Sequence, residues 1–98
     1  MSFERPAPDI DKIATAWKTW VARGADVLPG RTMADLKIGG ADHVIETLVE
    51  ENQDSTEIAE LGATWLNWER GRVGPAETLQ AITELGWGDI VDQLAEPT

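Results

Sequence analysis

Cysteine is missing from this chain. Its absence excludes a thiol nucleophile, a redox pair, a thiolate zinc site and a disulfide framework, and it is compatible with a reducing cytoplasm. Histidine occurs once, at His43, and serine only at Ser2 and Ser55. A lone histidine beside an acid on a helix surface reads as an exposed side chain rather than a ligand or pH sensor. Neither serine sits in the tight strand-to-helix turn that arms a nucleophile, and no loop carries the alternating oxygen ligands of a calcium hand. No catalytic, cofactor or metal site is therefore expected, and no enzyme activity.

Apolar runs are also short. None approaches the roughly 18 residues that a membrane span requires, and the opening residues Met1 to Pro8 lack the apolar stretch of a signal peptide. The expectation is a soluble, cytoplasmic protein with no membrane partner.

Bases are scarce: eight Lys and Arg stand against eighteen Asp and Glu, for a net charge of −10. Binding to a phosphate backbone needs clustered Lys and Arg, so this balance argues against direct contact with nucleic acid. The imbalance is local. Residues 1–49 hold seven acids and six bases, net −1, whereas residues 50–98 hold eleven acids and two bases, net −9, with no Lys or Arg after Arg72.

What the chain does have is helical periodicity, written twice. Ile10, Ile13, Trp17, Trp20 and Val21 share one face of a helix, and the first four recur 48 positions later as Ile58, Leu61, Trp65 and Trp68. Pro29, Thr32, Met33, Leu36, Gly40, Val44, Ile45 and Leu48 recur 46 positions later as Pro75, Thr78, Leu79, Ile82, Gly86, Ile90, Val91 and Leu94. Eight of 37 aligned positions are identical, and four of the five tryptophans fall in register. The spacing predicts a helix over about 9–23 capped by Asp9, a loop over 24–31, a short helix capped by Thr32 and ended by Gly39 and Gly40, and a third helix opened by Asp42. In the second copy it predicts helices over about 56–70, 75–85 and 89–95, with Pro75 in a first turn where its missing amide hydrogen costs nothing. Asp54, three residues before Glu57, is the expected cap of the fourth helix.

The expected architecture is all-α: one compact domain over 1–98, about six helices in two similar three-helix units related by an approximate two-fold axis. Repeat one spans about 9–50, a polar connector 52–55, and repeat two about 56–96, with flexible tails at 1–8 and 97–98. Trp17, Trp20, Trp65 and Trp68 sit on the apolar stripe and are expected in the core.

Differences between the copies mark where function would sit. Leu66 stands where the first copy has Lys18, and Trp87 where it has Ala41. Lys12, Arg31 and Lys37 are matched by Glu60, Glu77 and Thr83, and His43 by Asp89. Asp42, Glu46 and Glu50 place like charges on one helical strip expected to be exposed, a mildly unfavourable arrangement that invites a partner. A helix, a glycine turn and a second helix, over Leu36 to Leu48 and Ile82 to Leu94, give the outline of a DNA-binding helix pair. Yet those second helices carry Asp42, Glu46 and Glu50, or Asp89, Asp92 and Glu96, which phosphate would repel.

The resulting expectation is a small, acidic, non-catalytic interaction or regulatory module. Its candidate contact residues are Leu66, Trp87, Glu60, Glu77, Glu84 and Asp89, set against a basic, partly apolar surface of another protein. The alternative is an acidic inhibitor that imitates nucleic acid and occupies a DNA- or RNA-binding protein.

Overall fold

A computed structural model describes residues 7–95, and every regular element among them is helical. The six helices are α1 (Ile10–Arg23), α2 (Pro29–Ile38), α3 (Ala41–Glu51), α4 (Thr56–Glu69), α5 (Pro75–Glu84) and α6 (Trp87–Ala95), with a 3-10 turn at Gly24–Asp26 after α1. The expected tails at 1–8 and 97–98 lie outside the described residues, apart from positions 7 and 8.

Local chemistry sets the boundaries. Asp9 caps α1, its Oδ1 accepting from the Lys12 amide at 3.1 Å. Thr32 does not cap α2: the helix begins at Pro29, and Thr32 lies inside it, 2 % exposed. The Leu28 carbonyl accepts from the amides of Arg31 and Thr32, so the first turn closes without a side-chain cap. Ser55, rather than Asp54, caps α4, its Oγ accepting from the Ile58 amide. The third and last helices start earlier than expected, at Ala41 and Trp87. Each is preceded by a glycine at φ 91°, Gly40 and Gly86, a left-handed backbone that other residues adopt only under strain.

Hairpin partners pack side by side, α1 on α2, α2 on α3, α4 on α5 and α5 on α6. Three further packings join the two halves of the chain: α1 on α6, α3 on α4, and α2 on α5. One core results. Ile13, Trp17, Met33, Leu36, Val44 and Ile45 from the first half meet Leu61, Trp65, Leu79, Ile82, Trp87 and Val91 from the second. Trp20 and Trp68 are partly buried against it, and each tilts against the tryptophan three residues before it, with ring centroids 5.3 and 5.2 Å apart. The radius of gyration, 13.1 Å, matches the roughly 13 Å expected of one domain near 100 residues. No described helix is long and apolar enough to cross a membrane.

Candidate functional site

The structure separates the six candidate contact residues. Trp87 is 0 % exposed, in the core at the first turn of α6, and so cannot present an aromatic surface to a partner. This corrects its assignment to the docking patch. The reason is visible at its first-half counterpart: Ala41 is also 0 % exposed, so the position is interior in both halves and the added bulk fills core space. The other five are on the surface. Leu66, 47 % exposed, and Glu60 lie on α4, Glu77 and Glu84 on α5, and Asp89 on α6. Glu77 and Glu84 are seven residues apart and so share one face of α5, while α4 packs beside that helix. Asp89 belongs elsewhere, in a cleft between α6 and α1.

The acidic strip on α3 is also less uniform than expected. Glu46 and Glu50 are exposed, but Asp42 is half-buried and its Oδ1 accepts from the His43 amide at 2.9 Å. His43 is half-buried rather than exposed.

Two clefts open on α1. The larger, about 820 Å³, runs between α1 and α2 past the 3-10 turn, with Lys12, Arg23 and Arg31 facing Asp9, Asp11, Asp26 and Asp35. Charges of both signs line it, so it presents no single electrostatic preference.

The smaller cleft, about 390 Å³, is lined by Trp17, Lys18, Val21, Thr83, Gly86, Gly88, Asp89 and Asp92. Glycines make room for it. A Cβ placed on Gly88 would lie 3.3 Å from Trp17 Nε1 and 3.9 Å from Cε2 and Cζ2, so the missing side chain is what uncovers that edge of the indole. Trp17 is 4 % exposed, and its Nε1, which makes no hydrogen bond among the described residues, is not sealed from solvent. Trp65 shows the contrast: its Nε1 donates to Glu69 Oε1, four residues further along α4. Four residues beyond Trp17 stands Val21, which accepts nothing and is 61 % exposed. Asp89 and Asp92, three apart on α6, share one helical face and supply the cleft's two carboxylates.

Sequence reasoning named Asp89 but did not group it with Trp17, Val21, Gly88 and Asp92, which line the same cleft. A signal was present in the pairs Trp17 with Val21 and Trp65 with Glu69, because the i to i+4 spacing decides whether a helical tryptophan has an acceptor on its own helix.

The chain matches no family model, no curated protein and no solved structure.

Proposed function

We propose that the chain is a small, non-catalytic protein-protein interaction module whose acidic second half docks onto a basic, partly apolar surface of another protein. One observation carries this reading: Glu60, Glu77 and Glu84 are all exposed on the adjoining helices α4 and α5, where Leu66 also stands exposed. These residues belong to a segment with eleven acids and two bases. Complementary charge would speed and orient the encounter, while Leu66 supplies apolar contact.

The test is affinity capture with the tagged chain from its own cells, at about 50 mM and about 500 mM salt, since surface charge is screened over this range. Partners should be lost at high salt, and lost at low salt from a Glu60→Lys, Glu77→Lys, Glu84→Lys variant. Leu66→Ala should weaken their retention. Capture of the same proteins by the charge-reversed variant would remove this reading, and competition of the captured protein by DNA or RNA would replace it with the nucleic-acid mimic.

We also infer that the six helices are two related three-helix units about an approximate two-fold axis. Matched lengths support it: α1 and α4 have 14 residues each, and α2 and α5 have 10 each and both open on proline. Exchanging the halves also maps the packing α1 on α6 onto α4 on α3, and returns α2 on α5 to itself.

A further inference from the structure

We propose that α6 is an exchangeable arm: two copies of this chain trade it, each laying its α6 along the α1 of the other. The inference uses none of the acidic surface of α4 and α5, so it stands apart from the docking reading above.

Three observations carry it. The first is where α6 packs. Its Trp87 and Val91 are buried in the common core, Ile90 and Ala95 are partly buried beside them, and the helix lies on α1 as well as on its hairpin neighbour α5. The fit is close, since a Cβ on Gly88 would lie 3.3 Å from Trp17 Nε1. A second copy of the chain offers an identical seat on its own α1, so an exchanged α6 regains these contacts.

The second is the connection. Among the described helices, α6 is joined to the rest through one turn, Leu85 and Gly86, whose amides donate to the Ala81 and Thr83 carbonyls of α5. No hydrogen bond among the described residues ties this turn to any element but α5 and α6, and a Cβ on Gly86 would meet nothing within 4 Å. The matching turn of the first half is held down. There the Gly39 carbonyl accepts from the Asp9 amide at 2.8 Å, and a Cβ on Gly40 would lie 3.1 Å from Pro8 Cα. The helix after that turn, α3, is joined at both ends, to α2 and to α4. Release is open to α6 and closed to α3.

The third is a donor. Trp87 Nε1, in the first turn of α6, is buried without a hydrogen-bond partner among the described residues. When α6 lifts, that N–H gains water, which lowers the barrier to opening. The closed and exchanged forms bury it alike, so it affects the rate and not the final balance.

That balance is set by the turn and by the number of free molecules, because the packing is the same in both forms. In the closed chain α6 meets α1 at the effective concentration that a short connection imposes, so exchange competes once the chain itself approaches about 1 mM. With a net charge of −10, two copies repel, and salt that screens them favours the exchange.

The test refolds the full chain from urea at about 1 mM in about 0.5 M salt and reads its mass by light scattering. A dimer is expected beside the monomer. Gly86→Ala should raise the association constant of the dimer about thirty-fold or more, because two alanines per dimer leave a left-handed turn that costs each of them. Gly40→Ala places the same strain at the same φ of 91° in the turn that is held down, and should dimerise no more than the parent.

A complementary pair identifies what is exchanged. Gly88→Leu overfills the seat beside Trp17, and Trp17→Ala empties it. Refolded together, the two variants should give a heterodimer in excess of random pairing by native mass spectrometry, since one lobe then joins Trp17 to Gly88 and the other joins the alanine to the leucine. This heterodimer should also melt above either variant alone.

A Gly86→Ala chain that stays monomeric at about 1 mM, dimerisation of Gly40→Ala to the same extent, or a heterodimer no more abundant than random pairing gives would each overturn the proposal. If Gly88→Leu precipitates by itself, the comparison of the two alanine variants decides.

Discussion

Trp87 concentrates the problem of reading depth from sequence. Comparing the two halves singles it out as bulk that the first half does without, and bulk of that kind reads as a surface anchor. The structure places it at 0 % exposure, with an Nε1 that has no hydrogen-bond partner among the described residues. Its substitution therefore acts on stability before it acts on any partner. Trp87→Ala should cost about 3–5 kcal/mol, a large share of the roughly 5–15 kcal/mol that holds a small domain folded. Trp87→Phe should cost less than half as much. It keeps most of the apolar volume and removes a buried donor whose lack of a partner carries a penalty of about 1–3 kcal/mol. Urea denaturation of the two variants measures the difference. A phenylalanine variant as unstable as the alanine one would mean that the indole N–H is satisfied after all.

At the level of elements, helices were legible and their first turns less so. Apolar spacing located all six, and Asp9 was recognisable as a cap because an acid before an apolar-periodic run satisfies a free amide. Thr32 misled for the same reason. A threonine before Met33 looks like a cap, but Pro29 had already started the helix, as Pro75 does in the second half. The turn glycines offer a controlled comparison. Gly40 and Gly86 have the same φ of 91°, but a Cβ on Gly40 would lie 3.1 Å from Pro8 Cα, whereas one on Gly86 would meet nothing within 4 Å. Gly86→Ala should therefore show conformational strain alone, about 1–2 kcal/mol. Gly40→Ala should show that strain plus the displacement of the segment leading into α1. The midpoints of urea denaturation of both variants, measured side by side, test this ordering, and equal losses would show that the Pro8 contact is accommodated freely.

For the molecule as a whole, the decisive fact is that helices of one half are covered by helices of the other. With α1 against α6, α3 against α4 and α2 against α5, each half covers apolar surface of the other. Fragments 1–53 and 54–98 should each show little helix by circular dichroism, and mixing them should restore helicity and a cooperative melt. A cooperative melt from either fragment alone would contradict this account. The acidic surface behaves differently, because exposed charge is a matter of composition and can be read without knowing what packs on what. Four of its candidate residues, Glu60, Glu77, Glu84 and Asp89, are indeed exposed.

The sequence by itself determined the helical class, the order of six elements, most of the residues that turn inward and the concentration of negative charge in the second half, while Val21 and Leu94 of the expected stripes are exposed. Those properties follow from the 3.6-residue period, from capping chemistry and from counting, all of which are local. Only the tertiary structure decided that Trp87 is interior, that Asp89 stands apart from Glu60, and that the Trp17 indole opens onto a cleft with two carboxylates. Depth and proximity depend on which distant element covers a residue. Here α1 and α6, from opposite halves of the chain, pack together and line the cleft that holds Asp89 and Asp92.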